Sequence, residues 1–334
     1  MVQKIETDCG VIGGGLAGCT VALELADAGK HVELFVKSRL IEGCNSYLIA
    51  GGLAAVPSTK KTLNNDSVNI HIEDTLNAGK GLNDLEIVTL CAENFFHDVI
   101  EYLIDKGVRF DKKDGQFDLN FEGGHSKGRV FHISDITGLK IMEILGKLVW
   151  DHPNITVHEN HLVIDLITKN KIIKSKGEDK SLGFYVYDIT EDDVITVQCD
   201  STFIATGGLG KVFLYTSNTD TSTGDGFALC YRAGIPLINM EFIQFHPTVF
   251  YDPYAVTEGE RRFLLTEALR GAGAILKLHT DSKDDFVLRY DPSGSKATRD
   301  IVAAAEDREM RKNRLNHVWL DCTTIDKDIL KNDY

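Results

Sequence analysis

The chain has no apolar run approaching the ~18 residues of a membrane span, so no transmembrane helix is expected. It also lacks a basic excess: 36 Lys and Arg against 50 Asp and Glu leave a net charge of −14, which argues against general nucleic-acid binding. An acidic protein that binds an anion must gather its arginines and histidines in one pocket. The seven cysteines, Cys9, Cys19, Cys44, Cys91, Cys199, Cys230 and Cys322, include no C-x-x-C pair. Their odd number and apolar surroundings read as free thiols in a reducing compartment, with no support for a structural metal or iron–sulfur centre. No room precedes the first strand for a secretory signal, so a cytoplasmic location is expected. Repeats and low-complexity tracts are absent. At 334 residues and 43% hydrophobic content, the chain is long for one ordinary domain and about right for two.

What is present begins at Val11–Gly18, Val-Ile-Gly-Gly-Gly-Leu-Ala-Gly. Gly13, Gly15 and Gly18 give the G-x-G-x-x-G spacing: a tight turn, a close backbone approach to a pyrophosphate, and close packing of helix on strand. The helix that follows adds unpaired N–H groups and the positive end of its dipole. Cys9–Ile12 reads as a buried strand, Val21, Leu25 and Ala28 as a helical face ending at Gly29, and His31–Lys37 as the second strand of a βαβ unit. The acidic residue that usually holds a ribose hydroxyl is missing. Val36-Lys37-Ser38 stand at its place, and Glu33 falls too early, so the ribose is held by Ser38 or a neighbour, or no carboxylate is used there.

Further on, Gly51-Gly52 mark another close backbone approach to a flat ligand. Two long helices are expected, at about Asp84–Lys106 with Val88, Cys91, Phe95, Val99 and Leu103 inward, and near Asp135–Trp150 with Leu139, Met142, Leu145 and Val149 inward. Strands are expected at Ile155–His158, His161–Thr168, Phe184–Ile189 and Val194–Gln198, with the lysine-rich Lys169–Leu182 as a solvated hairpin tip. Phe203–Gly208 reads as a strand ending in two glycines that meet the dinucleotide. The rhythm changes at about Glu241, where a domain boundary is placed, followed by a helix at Arg299–Arg311 and a strand at Val318–Asp321.

Functional side chains concentrate in four clusters: Glu122 to Gly138 with His125, Ser126, Arg129, His132 and Asp135; Glu241 to Thr248 with Gln244 and His246; Thr266 to Gly271 with Glu267 and Arg270; and Arg299-Asp300. Each has a bland reading. Asp135 and Asp300 suit helix caps, a lone His246 suits a core, and Glu267 with Arg270 suits a surface ion pair worth under ~1 kcal/mol. Four together after a dinucleotide fingerprint require a joint account.

Ala205-Thr-Gly-Gly, Thr223-Gly-Asp-Gly, Arg232-Ala-Gly, Glu241-Phe-x-Gln-Phe-His-Pro-Thr and Thr266-Glu-Ala-Leu-Arg-Gly supply it. In these motifs the chain, from Cys9 to Asp321, resembles the flavoprotein superfamily of succinate dehydrogenase, fumarate reductase and L-aspartate oxidase. The resemblance implies an α/β fold: a Rossmann-like FAD-binding domain, with a parallel sheet and a β-hairpin insertion, over residues 1–240, and a smaller α+β capping domain over 241–334. It implies FAD as cofactor, held by Gly13, Gly14, Gly15, Gly18, Lys37, Ser38, Asn45, Ser46, Gly51, Gly52, Thr206, Gly207, Gly208 and Asp225. No histidine lies between Lys37 and Asp66 at the place of covalent attachment, so the FAD is expected to be non-covalent.

Glu122-Gly-Gly-His-Ser is similar to the aspartate oxidase form of its motif, which has Glu where succinate enzymes carry Gln. The implied reaction is oxidation of L-aspartate to iminoaspartate, with oxygen or fumarate as acceptor and a link through quinolinate synthase to NAD synthesis. Glu122 would pair with the substrate ammonium, His246 and Thr266 would bind a carboxylate with help from His125, and Arg299 would shuttle a proton, linked to Glu267 and Arg270. Gly128 and Ala272 depart from the family pattern. The resemblance also implies chain past Tyr334: the rest of the lid, a further substrate histidine and arginine, a second FAD segment and a helical domain. Residues 1–334 alone are accordingly expected to turn over aspartate poorly. The rival readings are a soluble fumarate reductase or succinate dehydrogenase flavoprotein and a non-catalytic FAD-binding remnant.

Overall fold

The structure is a computed structural model that describes residues 3–57, 65–174, 177–253 and 261–328. They fall into two compact units, one made of 3–49, 136–241 and 261, the other of 50–57, 65–135, 242–253 and 262–328.

The first unit is built on a six-stranded sheet. Its elements are β1 (Lys4–Ile12), α1 (Leu16–Asp27), β2 (Val32–Phe35), α2 (Thr137–Asp151), β3 (Ile155–His158), β4 (His161–Thr168), β5 (Ser181–Asp188), β6 (Asp193–Ile204) and α3 (Asp225–Arg232). The strand order is β3-β2-β1-β6-β5-β4. The first three pairings are parallel and the last two antiparallel, which is a Rossmann-like parallel half carrying an antiparallel hairpin extension. Because a parallel sheet is covered on both faces, β1 is buried continuously over its last four residues. Gly10 keeps it close to the hairpin: a Cβ there would stand 2.4 Å from the Phe184 ring.

Several expectations change at residue level. The buried stripe of α1 is Cys19, Ala22, Leu23 and Ala26 rather than Val21, Leu25 and Ala28, and Ala28 is exposed. The expected strand at Val194–Gln198 and only the first two residues of that at Phe203–Gly208 are parts of β6, which ends at Ile204 and pairs with β5 over Asp193–Gln198 and with β1 over Thr196–Ile204. The lysine-rich tip opens with a short helical turn at Lys169–Ile173. Asp135 does not cap α2, whose cap position is Ile136 with no side-chain bond.

In the second unit, three short strands, Leu53–Ala54, Val130–Phe131 and Leu119–Asn120, pair around fully buried Phe131. The rings of Phe96, Phe110 and Phe117 pack on it at centroid distances of 5.0–5.8 Å. Asp84 caps the long helix by accepting from the Glu86 and Ile87 amides. That helix widens to a π turn at Phe96–Glu101, which resets its phase. Its buried positions are Ala92, Phe96, Ile100 and Leu103, and Cys91 is exposed, an offset of one residue already present before the π turn. A second core joins Leu276, Phe286, Val287 and Ala297 to Val302 and Ala305 of the helix Arg299–Asn313. Residues 50–57 and 65–135 fall with 242–253 and 262–328, not with the rest of 1–240 as the boundary at Glu241 implied. Contacts over long separations run within this unit, as of Gly123 with Glu267 and of Lys80 with Asp300, and no local pattern announces them. Among the described residues no helix is long and apolar enough to cross a membrane.

Candidate functional site

The first unit holds a cavity of about 260 Å³ above the ends of β1, β2 and β6. Its floor is the turn between β1 and α1. Gly13 has φ +106°, and a Cβ there would lie 2.3 Å from the Ala205 carbonyl oxygen. A Cβ on Gly18 would lie 1.8 Å from the Gly13 carbonyl oxygen. Only glycine permits this turn and this packing of helix on strand. Gly14, Gly15, Lys37, Ser38, Asn45, Ser46, Thr206, Gly207 and Asp225 also line the cavity. Ser46 Oγ accepts from the Leu16 amide at 3.0 Å, and this ties the 45–48 turn to the helix start. A pyrophosphate fits such a cradle, because backbone N–H groups and bare Cα atoms face it.

At the place of the absent ribose carboxylate, Lys37 Nζ donates to Asp225 Oδ2 at 2.9 Å and to Thr223 Oγ1 at 2.6 Å. An acid is therefore present, but it comes from α3. Glu33 is spent on His158 of the neighbouring strand. Asn45 is fully engaged: its amide donates to Asn218 and Ser222 and its oxygen accepts from the Thr219 amide, so it positions the 218–222 loop. His161, missed in the sequence, lines the same cavity. Gly51 and Gly52 belong to the other unit and serve close approaches there, Gly52 to the Phe131 carbonyl and Gly51 to Glu122, whose Oε1 a Cβ would meet at 2.9 Å. Gly208 does not line the cavity, and a Cβ there would meet nothing within 4 Å.

The second unit gathers the charged residues. Arg299 opens its helix and donates from Nε to Glu267 Oε2 at 2.5 Å and from a terminal nitrogen to Gln244 Oε1 at 3.0 Å. Glu267 Oε1 stands 3.4 Å from Arg270, which is 1% exposed and donates to the Ser295 carbonyl. The Glu267–Arg270 pair is thus interior rather than a surface bridge. Burial and the Glu267 charge raise the Glu122 carboxyl above its usual range. Burial and then Arg299 push His246 down to about 4. Its Nδ1 accepts from the Thr248 amide at 3.2 Å, so the neutral ring carries its proton on Nε2. Thr266 Oγ1 accepts from the Ala268 amide at 3.3 Å. Asp300 lies in the first turn of its helix, and Thr298 takes the cap position.

The loop bearing Glu122 and His125 is fixed from below. Arg129 is fully buried, with 2.8 and 2.9 Å bonds to Asp66 and one of 2.6 Å to Asp74. Asp74 also accepts from the amide and hydroxyl of Ser126. Burial works to raise Asp74, but the bonds from Ser126 and Arg129 outweigh it and hold it low. Arg129 stands 3.1 Å from His125 Nδ1, and burial together with that charge lowers His125. The acids Asp66 and Asp74 were not singled out in the sequence, since nothing local links them to Arg129.

A glycine cradle at the ends of parallel strands, beside Lys37 and Asp225, defines a dinucleotide-binding class of protein. The FAD binding domain family model matches residues 8–334, and the chain belongs to that family, with FAD as its cofactor. It is 44% identical over 318 residues to L-aspartate oxidase 1 of Ralstonia nicotianae, covering 94% of this chain and 56% of that protein. It is 40% identical over 338 residues to L-aspartate oxidase of Vibrio cholerae, covering 99% and 60%. The chain thus spans a little over half the length of these relatives. Among solved structures it is similar to E. coli quinol fumarate reductase FrdA, with TM-score 0.85, 25% identity and coverage of 99% and 56%. The Mycobacterium smegmatis Sdh1 complex gives 0.77, 31%, 99% and 55%.

Proposed function

We propose that the protein oxidises L-aspartate to iminoaspartate. The first unit is the FAD-binding part, and the second is the substrate-binding part. FAD, when bound, takes the hydride from the substrate carbon. The protein's own residues bind the dicarboxylate and move the proton. Neutral His246 donates from Nε2 to a substrate carboxylate, Thr266 adds a hydroxyl, and His125 assists. Glu122 accepts from the α-ammonium, whose charge offsets the burial and the Glu267 repulsion that raise this carboxyl. Arg299 carries the proton released from nitrogen to Glu267 and Arg270. A guanidinium with a pKa above ~12 is a poor base in water, and the half-buried pairing with Glu267 and Gln244 lets a neighbour recharge it.

The carrying observation is the Glu122 carboxyl beside the Glu267–Arg299 pair. Succinate carries no ammonium for this carboxylate to meet. Sequence likeness to the L-aspartate oxidases supports the same reading. The FAD is non-covalent, oxygen or fumarate is the acceptor, the location is cytoplasmic, and the product passes to quinolinate synthase. The test is anaerobic mixing of the FAD-loaded protein with aspartate or with succinate, followed by flavin absorbance and by trapping of iminoaspartate. Bleaching by aspartate and not by succinate is expected, at a slow rate for residues 1–334 alone. The reverse preference would make it a soluble succinate or fumarate enzyme.

A further inference from the structure

Among the described residues the helix Arg299–Asn313 buries two acids, Glu309, which is bound by Tyr290, Asn313 and Arg289, and Glu306. Glu306 lies seven residues after Arg299, on the same face two turns along the helix Arg299–Asn313. It is 6% exposed, and its Oε1 has no hydrogen-bond partner among the described residues. Arg270, three residues after Glu267, likewise has Nε and one terminal nitrogen without a hydrogen-bond partner. Arg270 is the charged group that acts on Glu306, and Glu267 and Arg299 are the other charged groups that act on Arg270. Glu306 is thus a buried acid with an unbonded oxygen on the helix that carries Arg299, which is rare in a folded interior, and the cation acting on it, Arg270, is the one whose terminal nitrogen stands 3.4 Å from Glu267. The outer helix supplies Arg299 and Glu306, and the segment facing it supplies Glu267 and Arg270, so the four alternate in sign.

We propose that Glu306 is the inner proton store of this site, taking up the proton that leaves aspartate through Arg299, Glu267 and Arg270, and giving it up by the same route when fumarate is reduced. This rests on the reading of Arg299 as the proton carrier. In oxidation of aspartate the Cα–H bond breaks with its electron pair passing to FAD, the C=N bond forms, and the ammonium gives up one proton, which ends on the Glu306 carboxylate. In reduction of fumarate, the hydride comes from FAD reduced beforehand and the proton from the Glu306 carboxylic acid. Burial pushes the Glu306 carboxyl up to about 8, with Arg270 opposing, so both of its forms are accessible near neutrality. Nothing else in the mechanism uses it.

The two directions therefore respond to pH with opposite sign. Single-turnover bleaching by aspartate should rise through pH 8, and oxidation of dithionite-reduced FAD by fumarate should fall through it. Glu306→Gln should slow both at least fivefold, abolish both slopes and leave KM unchanged, while Glu306→Asp restores the slopes. Unchanged rates and slopes in Glu306→Gln overturn the store. Infrared difference spectra of the FAD-loaded protein give a second readout: a carboxylic-acid C=O band that titrates near pH 8 in the wild type and is missing in Glu306→Gln. Wild-type protein that reacts with neither acid overturns the proposed function. In that case the infrared band decides Glu306 alone, and its absence at neutral pH overturns the store.

Discussion

Arg299 and Glu267 meet at 2.5 Å through Nε and Oε2, and the free edge of the guanidinium is held by Gln244. Two partners fix the plane of Arg299, so its direction is set before any substrate arrives.

Arg299→Leu should abolish aspartate oxidation while leaving FAD bound, because a proton carrier acts on the barrier and not on cofactor affinity. Rates come from single-turnover bleaching, and FAD retention from absorbance after gel filtration. Near-normal oxidation would remove Arg299 from the chemistry.

Glu122→Gln should lower kcat/KM for aspartate by roughly 10- to 150-fold, the equivalent of a charge-assisted hydrogen bond of about 1.5–3 kcal/mol. Reduction of fumarate, which carries no ammonium, should be spared. An equal loss for both acids would mean that Glu122 only shapes the loop.

Gly15→Ala is expected to fold, since its Cβ would meet the Ser46 hydroxyl at 3.2 Å and the Cys44 Cβ at an ordinary 3.8 Å, and to bind FAD roughly tenfold more weakly, about 1.4 kcal/mol. Titration with flavin fluorescence reads the affinity. Acid precipitation of the wild type should release all of the flavin, and yellow protein in the pellet would contradict non-covalent binding.

Removing one partner from the buried Arg129 cluster leaves a bare charge inside. Arg129→Met should cost roughly 3–5 kcal/mol in urea unfolding. Lys4→Met, at an exposed pair, should change almost nothing.

Stability against pH should show two opposing arms. His246 titrates near 6.5 when unfolded and near 4 in the fold. Between these values the unfolded chain holds the extra proton, and stability falls as pH falls. Glu306 titrates near 4.5 when unfolded and near 8 in the fold. There the folded chain holds the extra proton, and stability falls as pH rises. Glu306→Gln should therefore flatten the decline between pH 6.5 and 8, as read by urea unfolding at each pH. A decline unchanged from the wild type would mean that Glu306 ionises normally in the fold.

What the sequence showed was local. Gly13, Gly15 and Gly18 fall within one span of six residues and announce their turn by spacing alone, and Thr266 to Gly271 did so by motif. What it hid was long-range or a matter of phase. Asp225 reaches Lys37 across 188 residues, so an acid absent from its usual place was supplied from elsewhere. The π turn at Phe96–Glu101 broke a repeat that had been counted at 3.6 residues. Glu306 sits in Glu-Asp-Arg-Glu, which reads as a wet helix surface, and only packing reveals that it faces inward.

The parallel pairing of β1 with β6 sets Lys4 against Thr196 and Ile12 against Ile204, and places Gly13 against Ala205. During synthesis the first strand to emerge must wait for nearly two hundred further residues before its inner neighbour exists. Closing so long a loop is slow, and until then β1 offers one unpaired edge and an apolar end to any other chain. The glycine turn, although written in the first twenty residues, thus becomes a finished cradle late, and the cofactor reports completion of the sheet rather than its beginning.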